Sequence, residues 1–376
     1  MPDRIVHLHV GRSVHPVYRE QLHSLPDGFR YRYVHPHLND ASAGTRRIVE
    51  QGARFENERA AVKRVAQRLV ANAGYVRRST PRIGDDVDLI HSAQFFLRTP
   101  KPYVVDFEQL GQFALWQPRA FDRPWARDRL RRMIEDEHCK QLLPWSDAAR
   151  DGLFNVIGAT AKVTTVRPAI RPAAEAPQTR GDGPLRVLFV GTAFYEKGGI
   201  EALEAARRAK NVQLDVISYV PPEVDIPGNV TVHVPGPREV VERLYAESHV
   251  LLFPSHMDTF GYVVLEAMAH GLPVLAPGHL ALNELVDDDS GVRFAAENML
   301  YGNDGLCRFA YTNPLPAAYL DALRHPSDAY IDGIVDALER LEADYDRRAA
   351  GALAKVRHSM DERRALLARV YAGAIS

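Results

Sequence analysis

Cysteine is scarce in this sequence, and long apolar runs are missing from it. The chain of 376 residues contains only Cys139 and Cys307, which excludes a disulfide framework and a structural zinc site built on thiolates. No stretch approaches the roughly 20 apolar residues that a membrane-spanning helix needs. The start, MPDRIVHLHVGRS, has a short strand pattern and not the apolar core of a secretion signal. Together these absences predict a cytoplasmic protein.

Net charge is also nearly absent, at a formal −1, but the two halves of the chain differ in sign. Residues 1–180 hold 29 Lys and Arg against 20 Asp and Glu, whereas the remaining residues hold 18 against 28. Because single hydrophobic cores stop growing beyond roughly 250–300 residues, a chain of this length favours two domains. The basic half favours an anionic partner, although solvated faces that attract each other explain the asymmetry equally well.

Two short β-rich runs, each followed by glycine, mark the starts of two similar folding units. Ile5–Val10 precedes Gly11, and Leu185–Val190 precedes Gly191. A strand that ends in glycine is typical of the first βα turn of a Rossmann-like unit. Between them, residues 166–184 contain four prolines and two glycines, which predict a linker.

The alternation of apolar segments predicts an α/β fold with doubly wound parallel sheets. The linker separates an expected N-terminal domain, 1–165, from an expected C-terminal domain, 185–354. In the first domain we expect a long basic helix over 46–73, strands over 87–91 and 103–106, a helix over 124–138 and a helix cap at Ser146 or Asp147. In the second we expect strands over 185–190, 212–218, 230–234, 249–253 and 272–276, and helices over 198–210, 237–247, 261–270 and from about 328 onward.

The run VLLFPSHMDTFGYVVLEAMAHGLPVLAP, residues 250–277, places two carboxylates on either side of an apolar, glycine-containing segment. A helix over 261–270 points free backbone N–H groups and a partial positive charge at the carboxyl end of a strand, which is a natural anion site. Gly261 lets a ligand approach the backbone closely. Glu266 lies in the second turn, and a buried carboxylate there needs partners. Two ribose hydroxyl groups would supply them; a structural cap or a salt bridge is the alternative.

This run resembles the retaining GT-B glycosyltransferases that use nucleotide-sugar donors, the glycosyl transferases of group 1. That family has two glutamates separated by seven residues, and this chain has Asp258, seven residues, then Glu266 and Ala-Met-Ala. The resemblance is specific over residues 185–292. Its further matches are Pro254-Ser255, Asn283–Val286, the glycine loop GTAFYEKG at 191–198 and, more weakly, Pro144–Ser146 and Val166–Ile170.

The resemblance implies two Rossmann-like doubly wound domains with an interdomain cleft, and a last helix, about 355–376, that packs back on the first domain. Glu266 would then bind the donor ribose, Asp258 would hold hydroxyl groups of the donor sugar, and Lys197 would neutralise the departing diphosphate. A solvated lysine and an Asx-type turn are the alternatives for Lys197 and Asp258. The full set of implied donor-binding residues is Gly191, Thr192, Lys197, Asp258, Thr259, Phe260, Gly261 and Glu266.

This chain departs from the family pattern at three positions. Thr192 stands where the family has an arginine five residues before the lysine, and Asp258 replaces a glutamate. Near the anomeric carbon the family has a histidine, where this chain has Asp106 and Glu108. We expect catalytic roles for Lys197, Glu108 and Asp106; the alternative for the last two is a helix cap or a pair with a neighbouring arginine.

The implied reaction is transfer of a sugar from a nucleotide-diphosphate sugar to an acceptor hydroxyl with retention of configuration. Because lysine and backbone N–H groups supply the positive charge, we expect no metal and no cofactor. The acceptor, a small molecule, a glycan or a lipid-linked molecule, is expected to contact Gly11, Arg12 and His91. The departures keep two alternatives open: an altered or inactive member that binds nucleotide-sugars, and a phosphorylase or epimerase of the same fold.

Several charged groups invite weaker interpretations. His7 and His9 share a strand face, but no third metal ligand has a useful spacing, so ordinary strand histidines are favoured. Residues 287–289, Asp-Asp-Asp, favour a solvated turn over a metal site. The arginines of 46–73 suit peripheral contact with the inner membrane face, although interrupting glutamates favour a solvated face. No recognised module accompanies them, so we expect no nucleic-acid binding.

Overall fold

The structure is a computed structural model in which the chain forms two compact units. It describes residues 3–10, 15–33, 65–66, 69, 73–117, 119–309 and 315–376. The first unit contains the described residues up to Ala169, residues 302–309 and Met360–Ser376. The second contains Ile170–Tyr301 and Leu315–Ser359. Gly11, Arg12 and nearly all of the expected basic helix 46–73 lie outside the described residues.

The first unit is built on a five-stranded parallel sheet with the strand order β2-β1-β4-β6-β7. A small second sheet pairs β3 with β5 in parallel. The two central strands, β4 and β6, are buried along their whole length, as expected when helices cover both faces of a parallel sheet. The strands are β1 (Arg4–His9), β2 (Phe29–Tyr33), β3 (Arg78–Ser79), β4 (Leu89–Ala93), β5 (Phe96–Leu97), β6 (Tyr103–Phe107) and β7 (Cys139–Pro144).

Two hydrophobic clusters enclose that sheet. One is formed by residues such as Phe107, Phe113 and Leu130 and includes α2 and α3. The other joins strand residues such as Val104 to Leu367 and Tyr371 of the last helix. The helices of this unit are α1 (Pro16–Gln21), α2 (Pro124–Glu135), α3 (Asp147–Ile157) and α11 (Ser359–Ile375), with a 3₁₀ helix at Leu110–Ala114. Ser146 caps α3 by accepting a hydrogen bond from the Ala149 N–H at 3.0 Å.

The second unit is built on a six-stranded parallel sheet with the strand order β10-β9-β8-β11-β12-β13. Its strands are β8 (Leu185–Val190), β9 (Val212–Ile217), β10 (Val230–His233), β11 (Val250–Leu252), β12 (Val274–Pro277) and β13 (Gly291–Phe294). In sequence order this is 3-2-1-4-5-6, the doubly wound arrangement whose direction reverses between its first and fourth strands. That reversal lies between β8 and β11, which pair directly at Val187 and Val250.

Apolar helix faces cover the second sheet, and its core contains Phe189, Leu214, Leu252 and Ile334. Gly291 lies so close to the Val274 carbonyl that a Cβ atom would come within 2.1 Å of the oxygen. The helices are α4 (Gly199–Arg208), α5 (Arg238–Glu247), α6 (Tyr262–Ala269), α7 (Leu282–Leu285), α8 (Ala317–Arg324), α9 (Asp328–Ala343) and α10 (Tyr345–Arg357). Among the described residues, no helix combines the length and the apolarity needed to cross a membrane.

Candidate functional site

The loops that follow β8 and β11 meet where the strand order of the second sheet reverses. In open parallel α/β sheets, ligands bind at this point because the two neighbouring loops diverge to opposite faces and leave a crevice. Residues 191–198 follow β8, and residues 253–261 follow β11. The two segments that resemble a known family therefore occupy the position where the fold favours a ligand.

Gly191 allows the first loop to fold tightly over the end of β8. A Cβ atom at this position would lie 2.7 Å from the Cβ atom of Lys197 and 2.8 Å from its Cγ atom, so a larger residue would displace the lysine. The Lys197 N–H donates to the Ala193 carbonyl at 2.9 Å, and α4 begins two residues later. The glycine thus fixes where the lysine side chain leaves the backbone.

Lys197 forms an ion pair with Asp258 of the second loop. Its Nζ atom lies 2.6 Å from Asp258 Oδ2, and the two side chains are 21% and 17% exposed. Ser255 donates a hydrogen bond to the same carboxylate oxygen. The lysine also lies over the ring of Phe253, 5.9 Å from its centroid. A cation and a carboxylate predicted to contact the donor are therefore adjacent and within reach of solvent.

Behind this pair, a second ion pair is completely buried. His256 Nε2 lies 2.8 Å from Glu201 Oε1, and both side chains are 1% exposed. His256 Nδ1 lies 2.8 Å from the Glu297 carbonyl oxygen. Burial disfavours the charged imidazole, but the hydrogen bond and charge of Glu201 outweigh it, so the pKa of His256 is raised.

The backbone of His256 strengthens the same connection. Its N–H donates to the Glu196 carbonyl at 3.0 Å, and its carbonyl accepts from the Leu300 N–H at 2.7 Å. This residue therefore joins the lysine loop, the Asp258 loop and the segment after β13. Sequence reasoning missed both Glu201 and His256. The one signal was a glutamate at an otherwise apolar position of α4, between Ile200 and Ala202.

Helix α6 begins with an uncapped end directly after the second loop. Gly261 at its N-cap has φ +84° and supplies no side-chain hydrogen bond. A side chain at this left-handed position would be strained, and its Cβ would lie 2.9 Å from Leu282 Cδ2. Thr259 and Phe260 just before it are buried. The positive end of the helix dipole thus lies directly after the second loop.

Glu266, on the second turn of α6, lies against α5. Arg238 Nη1 donates to Glu266 Oε1 at 3.1 Å, and the Tyr245 hydroxyl lies 3.5 Å from Glu266 Oε2. Burial raises the pKa of Glu266, and Arg238 opposes that shift. The salt bridge named above as an alternative role is thus present. Arg238 itself was missed because it stands at the start of an ordinary amphipathic helix with no motif around it.

His91 and Asp106 lie in the interior of the first unit. His91 Nε2 is 3.4 Å from Asp106 Oδ2, and the two side chains are 0% and 2% exposed. The Tyr18 hydroxyl donates to Asp106 Oδ1 at 2.8 Å, and the Tyr371 hydroxyl lies 2.7 Å from His91 Nδ1. Gln21 contacts the same histidine at 3.1 Å. These contacts join α1, two strands and α11 into one buried polar network.

Glu108 lies two residues after Asp106, where β6 leads into the 3₁₀ helix. Its backbone N–H donates to Gln112 Oε1 at 3.0 Å, and its side chain is partly buried. The 3₁₀ helix carries its own capping box between Gln109 and Gln112. The end of β6 therefore presents Glu108 in a fixed backbone position.

The described residues contain no group of three or more His, Cys, Asp or Glu side chains arranged to hold a metal ion. His9 Nε2 lies 3.0 Å from the Ser79 hydroxyl, and burial lowers the pKa of His9 to about 4. Asp287 pairs with Lys355 at 2.7 Å and Asp289 with Arg347 at 2.6 Å. These carboxylates are thus engaged by cations of α10.

Comparison with known proteins finds similarity over the segment that carries this site. Residues 184–301 match the model of the family described as Glycosyl transferases group 1. D-inositol 3-phosphate glycosyltransferases from Mycolicibacterium gilvum (strain PYR-GCK) and Nocardia farcinica (strain IFM 10152) are 29% identical over 163 residues and 30% identical over 172 residues. Each alignment covers 40% of this chain but only 36% and 38% of the relatives' own lengths.

Solved structures resemble the chain over nearly its full length. Sucrose-phosphate synthase from Thermosynechococcus elongatus has a TM-score of 0.58 at 14% identity and covers 98% of both chains. A Rickettsia africae glycosyltransferase has a TM-score of 0.56 at 9% identity, covering 100% of this chain and 99% of its own. Anabaena HepE in complex with UDP and glucose has a TM-score of 0.55 at 12% identity, covering 98% of both chains.

At these identities the structural likeness shows the fold. The α/β GT-B fold with two Rossmann-like units that the sequence predicts is thereby confirmed. Lys197, Asp258 and Glu266 all fall inside the matched segment. Residues 184–301 of this chain are therefore similar to the group 1 glycosyl transferases.

Proposed function

We propose that this protein is a glycosyltransferase that moves a sugar from a nucleotide-diphosphate sugar to an acceptor hydroxyl with retention of configuration. The observation that carries the proposal is the Lys197–Asp258 pair, 2.6 Å apart, at the strand-order reversal of the family-matched sheet. A cation for a diphosphate and a carboxylate for sugar hydroxyls are the two groups that such a donor requires there.

Donor binding would rearrange the Lys197–Asp258 ion pair. Lys197 would turn from Asp258 to the diphosphate, which carries more negative charge, and Asp258 would accept hydrogen bonds from the sugar. The N-terminal end of α6, with its partial positive charge, would face the same anion. Main-chain groups at Gly191 and Thr192, and the segment Thr259–Gly261, would complete the contacts.

The nucleoside would lie at Glu266. A partly buried carboxylate whose pKa is raised gains from hydroxyl donors, and the two ribose hydroxyl groups supply them. Arg238, 3.1 Å from Glu266, keeps the carboxylate oriented before the donor arrives. It also brings a cation from α5 to a site in which Thr192 replaces the family's arginine.

In the proposed reaction, the bond between the anomeric carbon and the diphosphate oxygen breaks while the acceptor oxygen attacks from the same face. The acceptor's proton passes to a phosphate oxygen of the leaving group. Lys197 and the helix N–H groups stabilise the negative charge that grows on that group, so we predict that no metal is needed.

The acceptor would be held by the first unit, with Glu108 orienting it or stabilising positive charge on the sugar. His91 and Asp106, 3.4 Å apart in the interior, would act through the backbone they position. Gly11 and Arg12 remain predicted acceptor contacts outside the described residues, as does the predicted membrane-facing helix 46–73.

Substitutions at the two carboxylate–cation pairs test the proposal. With a panel of nucleotide-sugars, the correct donor should raise the melting temperature by mass action and should be turned over. Lys197→Ala and Glu266→Gln should each reduce both the thermal shift and the transfer. Lys210→Ala and Glu239→Gln, at exposed positions of the same unit, are the matched controls.

The outcomes separate the proposal from its two alternatives. A thermal shift without transfer or donor hydrolysis would favour an altered member that only binds nucleotide-sugars, an alternative motivated by Thr192. Phosphate-dependent release of a sugar phosphate, without any nucleotide, would favour a phosphorylase. Transfer that survives Lys197→Ala unchanged would contradict the proposed role of the lysine.

A further inference from the structure

The first unit has a cavity of about 420 Å³ between helix α2 and the turn at Gly74. A second cavity, of about 280 Å³, shares Arg78, Arg129 and Met133 with it. We refer to the two cavities together as the arginine pocket. The lining residues used below are Arg78, Arg98, Trp125, Arg129, Arg132 and Met133.

Three elements assemble the pocket. Trp125, Arg129, Arg132 and Met133 share one face of α2, because positions four, seven and eight apart lie on the same side of a helix. The indole ring of Trp125 lies against Gly74, and Arg129 Nη1 donates to the Gly74 carbonyl at 3.3 Å.

The small sheet supplies the remaining cations. Arg78 lies on β3 opposite Phe96, and the Arg98 N–H donates to the Ser79 carbonyl at 2.9 Å. This hydrogen bond continues the pairing of β3 with β5 by one residue. The hydrogen bond therefore places the backbone of Arg98 beside β3, which carries Arg78.

Within the part of the chain that the structure describes, the positive charge in the pocket is not balanced. Four described guanidinium groups line it, against one described carboxylate, Asp136, which accepts from the His138 N–H at 2.9 Å. Among the residues that the structure describes, none of these four arginines has a carboxylate within salt-bridge distance, and the buried Nε atom of Arg78 has no hydrogen-bond partner. By contrast, Arg131 of the same helix pairs with Asp128 at 2.9 Å.

The chemistry of the lining selects the class of ligand. The planar guanidinium fork binds phosphate oxygens in a bidentate manner, and several forks around one volume favour a doubly charged group over a single carboxylate. The cavity is larger than a phosphate group needs. Trp125, which is 50% exposed, and the buried Met133 offer an apolar wall beside the cations.

We propose that the arginine pocket binds a phosphate monoester whose organic part packs against Trp125. The phosphate would bridge Arg78 and Arg129, and Arg98 and Arg132 would strengthen the field at the entrance. This site belongs to a different unit from the proposed donor site and does not depend on glycosyl transfer.

Tryptophan fluorescence tests the proposal directly. The protein carrying Lys197→Ala, which removes the proposed diphosphate site, is titrated with phenyl phosphate and with inorganic phosphate at constant ionic strength. We expect a saturable signal that disappears in Trp125→Phe, with tighter binding of phenyl phosphate. Arg78→Gln and Arg129→Gln should each weaken binding at least tenfold, while Arg131→Gln should leave it unchanged.

The controls keep the test decisive. Where a variant at the partly buried Arg78 fails to fold, Arg98→Gln and Arg132→Gln, at exposed positions, provide the same measurement. Absence of saturation, or equal weakening by Arg131→Gln, would overturn the proposal.

The source of the phosphate is decided by a vesicle experiment. Co-sedimentation with vesicles containing phosphatidic acid, but not with pure phosphatidylcholine, that is lost in Arg98→Gln and Arg132→Gln identifies a lipid headgroup. Binding of phenyl phosphate without co-sedimentation identifies a soluble phosphate ester. Binding to neither contradicts the proposal.

Discussion

Two ion pairs join the segment that follows β8 to the loop that follows β11; solvent reaches one pair, and the other is buried. Lys197–Asp258 is about a fifth exposed on each side, whereas Glu201–His256 is 1% exposed. Lys197 and Glu201 are one helical turn apart in the chain, and His256 and Asp258 are two residues apart.

The difference in burial gives the two pairs different roles. A partly buried pair that solvent reaches contributes less to stability than a fully buried one because water and salt screen it, so its partners are free to turn to a ligand. A buried pair has lost its hydration, so neither member can leave without exposing an uncompensated charge. The buried pair therefore holds the loops in place while the Lys197–Asp258 pair exchanges its partner.

The largest expected effect comes from breaking the buried pair on one side. Glu201→Ala leaves His256 without its carboxylate and should lower the free energy of unfolding by about 3–5 kcal/mol. Urea denaturation measures the change. Glu204→Ala, on the same helix and partly exposed, is the control and should change stability by less than about 1 kcal/mol. Equal losses in both variants would contradict a special role for the buried pair.

Breaking the Lys197–Asp258 pair should lower the transfer rate strongly and the stability only slightly. Lys197→Ala should lower the transfer rate by about 10²–10³-fold, the usual result of losing one group that stabilises a leaving or transition-state charge. Its free energy of unfolding should change by less than about 1 kcal/mol. Steady-state kinetics and urea denaturation of one preparation measure both. A stability loss as large as that of Glu201→Ala would show that the pair is structural.

Glu266 forms a third carboxylate–cation pair. Arg238 holds its carboxylate, yet burial raises its pKa. Glu266→Gln removes a charge that the site disfavours, so stability should hardly change. Donor affinity should weaken by about 10–100-fold, which corresponds to hydrogen bonds to a charged group. Calorimetric titration with the donor measures the affinity. An unchanged affinity would remove Glu266 from the donor site.

The pH dependence of stability gives the smallest effect. The folded pKa of His256 is raised above its unfolded value, so the folded state binds the proton more tightly. Its contribution is complete below the unfolded pKa, near 6.5, and is lost as the pH rises through the folded pKa. The slope from one group cannot exceed about 1.4 kcal/mol per pH unit. A His256→Gln variant should lose this part of the slope; an identical slope would contradict the assignment.

Much of the second unit could be predicted from the sequence because its signals are local. Strand Leu185–Val190 has the predicted bounds, and strand Val212–Ile217 ends one residue before its predicted end. The glycine after β8 and the spacing from Asp258 to Glu266 located the site because they report backbone turns and helix starts. Such features depend on a few neighbouring residues.

What the sequence did not reveal depends on contacts between distant residues. Glu201 meets His256 across 55 positions, and Arg238 meets Glu266 across 28. The buried carboxylate of Asp106 accepts a hydrogen bond from Tyr18, 88 residues earlier. Residues 302–309 belong to the first unit, although the segments before and after them belong to the second. No local sequence pattern predicts this change of unit.

The most direct test of the account is a crystal structure with the nucleoside diphosphate that gives the largest thermal shift. The account predicts that Lys197 Nζ leaves Asp258 and lies within hydrogen-bond distance of a phosphate oxygen, while Glu266 accepts from the ribose and the Glu201–His256 pair is unchanged. A diphosphate bound elsewhere, with Lys197 still on Asp258, would contradict it.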